Sequence, residues 1–425
     1  TGLSSQMIFL KDLLDKVGVN VQLIRHGKYK SAGEMFVRNS SSKENMEQNQ
    51  AMIDSIWENW AAEMADARGM STADFNGLIN RLELNFPEDF VEKGLADELV
   101  TREEMEDRLT SLYLADKYKD VKSIPFASYA KAKFSVDYKK KQKVAIIYAD
   151  GDIVDGMAKK QVAGDRFASI IADVRQDSTI KAVVLRVNSP GGSVVASSKI
   201  KSELDLLRES VPVIASYGNY AASGGYWISA NTDKIFSNAT TLTGSIGVFS
   251  MIPDISGTLK NKIHVNVTTV NSNDHSDMYA FVRPLDAAET AYMQASVENI
   301  YDKFTSLVAA GRDMTVQEVD AIAQGRVWTG AEAAEIGLVD QIGTLEDALN
   351  YAATSIDGAS GINDFQIVEY PKPQTSMEMI LEALGVEQSV FAGTAFENVE
   401  KAFRGWDEAQ AGKAYARMPY EITIR

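Results

Sequence analysis

Between residues 144 and 230 short β-branched runs alternate with stretches of helical spacing, and this alternation constrains the fold more than anything else in the chain. Residues 144–148, 182–187 and 211–215 are apolar and rich in Val, Ile and Ala. Between them, residues 164–176 and 193–209 carry apolar side chains at helical intervals. Strand–helix–strand repeats predict parallel β-α-β units with right-handed crossovers. In such sheets ligands bind outside the carboxyl ends of the strands.

Two glycine-rich segments stand at those ends. Asn188-Ser189-Pro190-Gly191-Gly192-Ser193 follows the second run, and Tyr220-Ala221-Ala222-Ser223-Gly224-Gly225-Tyr226-Trp227 follows the third. Glycine lets the backbone turn sharply and lets a substrate approach the amides. The amides of Gly192 and Gly224 are therefore candidates to stabilise an oxyanion. Ser223, between alanines and glycines where a strand gives way to a helix, has the setting of a nucleophile elbow. A tight packing corner, where nothing larger fits, accounts for the same residues without chemistry.

A serine nucleophile needs a base. The chain has no cysteine and three histidines, His26, His264 and His275, none in a promising context or at metal-ligand spacing. No metal and no cofactor is expected. Lysine is the other known partner of serine, and burial disfavours its charged form enough to make it a base. Lys28 and Lys30 are candidates, but spacing does not choose among 43 basic residues. With 59 acidic residues the net charge is −16, which argues against a nucleic-acid partner. No run approaches the ~20 apolar residues of a membrane helix.

The chain also repeats itself. Leu10-Lys11-Asp12 with Val19-Asn20-Val21 parallels Leu259-Lys260-Asn261 with Val265-Asn266-Val267. Ala67-Arg68-Gly69-Met70-Ser71 parallels Gly311-Arg312-Asp313-Met314-Thr315, and Gly94-Leu95-Ala96-Asp97 parallels Gly337-Leu338-Val339-Asp340. The copies stand about 245 residues apart, the signature of a duplicated unit. Residues 141–246 have no counterpart, so the expectation is that their partner block lay upstream of Thr1. Expected domains are 1–115, the C-terminal part of an N-terminal domain carrying the base; 116–143, a basic connector; 144–355, a second domain carrying the nucleophile; and 356–425, a tail without assignable role.

These motifs, with Leu242-Thr243-Gly244-Ser245-Ile246-Gly247, Tyr29-Lys30-Ser31-Ala32 before Glu34 and Phe36, and Val327-Trp328-Thr329-Gly330, resemble the signal peptide peptidase A family in its long, duplicated form. The resemblance spans roughly residues 9–350. It implies an α/β fold of tandem crotonase/Clp-protease-like domains, with the N-terminal one incomplete here. It places the nucleophile on Ser223, the general base on Lys30, the orienting hydroxyl on Ser245 and the oxyanion amides on Gly192 and Gly224. It further implies a homotetramer on the periplasmic face of the bacterial cytoplasmic membrane, held by an N-terminal segment absent from this chain. The implied activity is that of a serine endopeptidase degrading cleaved signal peptides and other hydrophobic, extended peptides. One departure is Glu34-Met35 where the family often has Glu-Pro, which bears on the turn after Lys30. Two rival readings share the fold: a crotonase-type acyl-CoA enzyme and an inactive scaffold that binds hydrophobic peptides.

Overall fold

A computed structural model describes residues 2–133, 140–372 and 414–418. The described residues pack into two compact units, one formed by Ser5–Ser55 and Lys140–Ile424, the other chiefly by Ile56–Lys139. This grouping differs from the expected boundaries: residues 5–55 pack with the C-terminal unit rather than with 56–115. The reason is backbone pairing, described below.

The smaller unit is helical. Thr72–Asn80 is capped by the Ser71 side chain, which accepts from the Asp74 amide. Its apolar face buries Phe75 against Ala61 and Ala65, and the Trp57 indole donates to Asn76 Oδ1 at 2.7 Å. The expected connector contributes a helix at Phe126–Lys133.

The larger unit contains the strands β1 (Asn20–His26), β2 (Lys143–Asp150), β3 (Ile153–Val154), β4 (Val162–Ala163), β5 (Ile180–Ser189) and β6 (Gly191–Ser193). These are followed by β7 (Val213–Ala222), β8 (Lys234–Ser237), β9 (Leu242–Gly244), β10 (Val248–Asp254), β11 (Val327–Thr329), β12 (Gln341–Ile342), β13 (Gln366–Tyr370) and β14 (Tyr415–Arg417). One sheet runs β11-β9-β7-β5-β2-β13, with β8 beside β7 and β12 beyond it. Every pair in it is parallel except β11 with β9. The expected α/β fold of parallel β-α-β units is therefore met. Part of the expected tail also has a place, since β13 adds a parallel edge strand along β2. Residues 373–413 and 419–425 of that tail lie outside the described residues.

Both faces of this sheet are covered, which is why its strands read as continuous apolar runs rather than alternating ones. Val183, Leu185 and Val187 point to the core beneath Gly164–Gln176 and Val194–Arg208. Ala182 and Val184 point to the opposite core, beneath Leu345–Thr354. Each fully buried Val, Leu or Ile contributes about 1.5–3 kcal/mol.

Strand β7 has a different neighbour at each end. Residues Ile214–Ser216 pair with β8, whereas Tyr220–Ala222 pair with β9, Ala222 opposite Gly244. The next residue on each strand is a serine: Ser223 and Ser245 leave the sheet side by side.

A second sheet, β1-β10-β14-β6-β3-β4, joins the start of the chain to this edge. Strand β1 is antiparallel to β10 along its whole length, from Asn20 opposite Asp254 to His26 opposite Val248. This pairing holds residues 5–55 in the larger unit. It also fixes where the loop after β1 lands, because His26 ends opposite the strand that begins three residues after Ser245.

Candidate active site

Ser223 occupies the corner between β7 and the helical turn Gly224–Ser229, with φ 55° and ψ −113°. A non-glycine residue rarely holds positive φ, and such strain concentrates where a side chain must be presented. The corner is fixed from both sides. The Ser223 amide donates to Gly244 O at 2.8 Å, and its carbonyl accepts from the Trp227 amide at 2.8 Å.

Lys30 arrives from the loop after β1, and four contacts pin that loop. Its amide donates to Gly27 O at 3.1 Å and its carbonyl accepts from Arg25 Nη1 at 2.7 Å. The preceding Tyr29 amide donates to Gln324 O at 2.9 Å, and Tyr29 O accepts from the buried Gln48 Nε2 at 3.0 Å. Gly325 packs so closely on this loop that a Cβ there would sit 2.6 Å from the Lys30 nitrogen, and its φ of +77° already favours glycine.

At its far end the lysine meets both serines. Lys30 Nζ lies 2.8 Å from Ser223 Oγ, 3.0 Å from Ser245 Oγ and 3.0 Å from Ser245 O. All three residues are fully buried. Burial without a counter-charge disfavours the ammonium form, so the Lys30 pKa is pushed well below its ordinary value. Glu34 is not that counter-charge. Its carboxylate accepts from Arg25 Nη1 at 3.2 Å, from the Ser42 amide at 3.1 Å and from Asn45 Nδ2 at 3.2 Å. Desolvation acts to raise its pKa, but these bonds outweigh it and hold the carboxyl below the usual range. The turn also forms without proline: Met35 lies in the helical turn Glu34–Val37, and its carbonyl accepts from the Leu10 amide at 2.6 Å.

The glycines gather beside Ser223. A Cβ on Gly191, whose φ is +99°, would lie 2.5 Å from the Gly224 nitrogen. Gly224 opens a helical turn, where the backbone N–H has no intrahelical partner. The structure thus gathers Lys30, Ser223, Ser245 and Gly224 at one corner, with Gly192 on the adjoining strand β6. Of the histidines, His26 stacks on Tyr301 with ring centroids 3.8 Å apart, and His275 Nδ1 meets Glu289 Oε1 at 3.0 Å. Ligand-type atoms of His275, Asp286 and Glu289 lie within 4.8 Å of one another, but Arg283 donates to both Glu289 carboxylate oxygens at 2.7 Å.

Residues 1–115 and 205–357 match the model of Peptidase family S49. The chain belongs to peptidase family S49. Both copies of the internal repeat fall within the matched residues. Protease 4 of Haemophilus influenzae is 33% identical over 389 residues, covering 88% of this S49 chain and 63% of the relative. Protease 4 of Salmonella typhi is 34% identical over 393 residues, 90% of this chain and 62% of the relative. The chloroplastic serine protease SPPA of Arabidopsis thaliana is 33% identical over 392 residues, 90% of this chain and 58% of that protein. The chain therefore spans about six-tenths of the length of these relatives.

The S49 chain carries positioning residues that its sequence did not announce. Arg25, Gln48 and Gly325 hold the Lys30 loop from three separate elements, and only Arg25 lies near Lys30 in sequence. No spacing rule connects Lys30 to Gly325.

Proposed function

We propose that this S49 chain is a serine endopeptidase in which Ser223 is the nucleophile and Lys30 the general base. The observation that carries the reading is the 2.8 Å approach of a fully buried lysine amine to a strained serine hydroxyl.

The geometry favours one assignment of protons. A neutral amine has two N–H donors and one lone pair. The two donors are used by Ser245 O and Ser245 Oγ, each 3.0 Å away. The lone pair is left for the Ser223 hydroxyl, which donates to it. Lys30 takes that proton as Ser223 Oγ attacks a peptide carbonyl. The amides of Gly192 and Gly224 receive the oxyanion, each donor of this kind supplying about 3–4 kcal/mol. Lys30 then protonates the leaving amine, and water resolves the acyl-enzyme.

Substrates on this reading are extended, hydrophobic peptides, including cleaved signal peptides, the class implied by the motif resemblance. Action at the outer face of a cytoplasmic membrane, as a homotetramer, belongs to the same reading. Among the described residues no helix is long and apolar enough to cross a membrane. An acyl-CoA enzyme has no use for the lysine–serine contact, and a peptide-binding scaffold gains nothing from burying an amine there.

A fluorophosphonate probe tests the proposal. Wild type should label, and both Ser223→Ala and Lys30→Ala should lose labelling while retaining their fold. Undiminished labelling of Lys30→Ala would remove the base from this account.

A further inference from the structure

The end of β7 that leads to Ser223 is reached through an irregularity. Val187 pairs with Tyr217 and Ser189 with Ala221, so one residue of β5, Asn188, stands opposite three of β7: Gly218, Asn219 and Tyr220. A β-bulge interrupts the ladder and re-aims the strand beyond it. Across the same three residues β7 exchanges β8 for β9 as its outer neighbour. We propose that Asn188 is a positioning residue for Ser223: its side chain holds this bulge, and the bulge sets how far along the sheet the serine stands. The inference rests on the reading of Ser223 and Lys30 as nucleophile and base.

Hydrogen bonds fix the Asn188 side chain in one orientation. Its Nδ2 donates at 2.7 Å to Oδ1 of Asp150, the residue opposite it on β2. A carboxylate only accepts, so the amide nitrogen must face Asp150 and the amide oxygen must face β7. There Asn188 Oδ1 accepts from the Asn219 amide at 3.0 Å and from the Tyr220 amide at 3.3 Å. The side chain thus supplies an acceptor where the ladder between β5 and β7 is interrupted. Gly218 leaves room for it: a Cβ there would lie 2.9 Å from Asn188 Oδ1 and 3.0 Å from its Cγ. The bulge is also held from the β9 side. Thr241 Oγ1 donates to Gly218 O at 2.6 Å, and Thr243 Oγ1 donates to Ala221 O at 2.7 Å.

The size of the shift makes the bulge matter for chemistry. In an unbroken register Asn219, not Ala221, would stand opposite Ser189. The bulge therefore draws Ser223 back by two residues, about 6–7 Å at ~3.3 Å per residue. With that shift Ala222 pairs with Gly244, which puts Ser223 beside Ser245 and 2.8 Å from Lys30 Nζ. A misplacement of about 1 Å at such a contact costs on the order of 100-fold in rate. Asn188 bonds to Asp150 and to the bulge, so its effect on Ser223 passes through the strand.

The test measures fluorophosphonate labelling of the full chain as a function of probe concentration, which separates the saturating rate from the half-saturation concentration. Asn188→Ala should lower the saturating rate of the folded protein by about 10–100-fold and leave half-saturation nearly unchanged. Asn188→Asp should be as slow, because it sets two carboxylates face to face across the Asp150 contact. Combining Asn188→Asp with Asp150→Asn should recover most of the wild-type rate, since donor and acceptors return with their places exchanged. A wild-type labelling rate in folded Asn188→Ala, whatever its denaturation midpoint, overturns the proposal: Asn188 would then be structural only. A raised half-saturation concentration at an unchanged saturating rate overturns it too, by making Asn188 a binding contact. So does a folded exchange variant that recovers nothing. If wild type never takes the probe, the catalytic reading fails, and amide hydrogen exchange decides the role of Asn188. The Ser223 amide, which donates to Gly244 O at 2.8 Å, should then exchange about 10-fold faster in Asn188→Ala, and unchanged exchange overturns the proposal. If wild type labels and no variant differs from it, only this inference falls.

Discussion

The two copies of the internal repeat do not fold alike. In the first, Asn20–His26 is a strand bonded along its length to Val248–Asp254, with Val21 and Ile24 buried. In the second, Val265 and Val267 belong to no strand and are 45% and 50% exposed, preceded by a π-helical turn at Thr258–Lys262. Similar short patterns thus take different structures, because β structure depends on whether a partner edge and a covering layer are available. The chemistry follows the same division. The loop after the paired copy delivers Lys30, whereas the stretch matching it, residues 273–279, contains no lysine. Of the two versions of this segment, only the paired one brings a lysine beside Ser223.

The sharpest way to break this comparison is to move the base. Ser223→Ala and Lys30→Ala should each lower kcat by about 10^6-fold, as for residues of a catalytic unit. Ser276→Lys should restore nothing to Lys30→Ala, and Lys30→Arg should be equally dead, because a guanidinium does not give up its proton. Recovery in a steady-state peptide assay of the Ser276→Lys variant would mean that the copies are interchangeable.

Acidity offers the next test. If neutral Lys30 is the base, kcat/KM should rise with pH at a midpoint well below the ordinary lysine value of 10.5. The same shift governs stability. Between the lowered pKa and 10.5 the unfolded chain holds a proton that the native chain lacks, so stability climbs with pH across that window. Chemical denaturation over a pH series should show this climb in wild type and a flatter profile in Lys30→Met.

Packing predictions sharpen the contrast between copies. Ile24→Ala, in the paired strand, should cost about 2–5 kcal/mol in the same denaturation assay. Gly325→Ala forces a Cβ into the Lys30 loop at a positive φ and should cost about 1–3 kcal/mol, with a loss of activity exceeding the loss of fold. Val267→Ala, in the unpaired copy, should stay within about 0.5 kcal/mol. A large loss there would mean that the second copy is paired after all.

How much of this the sequence disclosed depended on how local the cause was. The helix expected at residues 164–176 is found as Gly164–Gln176, because its amphipathic period and the strands it covers are both short-range signals. Ser223 stood out because small residues crowd around it in the chain itself. Lys30 was one lysine among many until motif resemblance singled it out, since the pairing of β1 with β10 that carries it to Ser223 spans more than half the chain. The strand at Tyr415–Arg417 was beyond any periodicity argument. Three residues are too few to show a period, and what makes them a strand is the pair of edges on either side. The repeat was visible, but the different folding of its copies was not, because neither copy encodes its partner.

The distance along the chain between Lys30 and Ser223 has a consequence for the life of the molecule. During synthesis the lysine emerges long before the serine, and until β1 finds β10 its amine stays in water and stays charged. On the proposed mechanism a partly made chain, its amine still charged, lacks a working base. On that mechanism reactivity appears only once the pairing of β1 with β10 has buried the amine, which ties it to the folding of the whole unit.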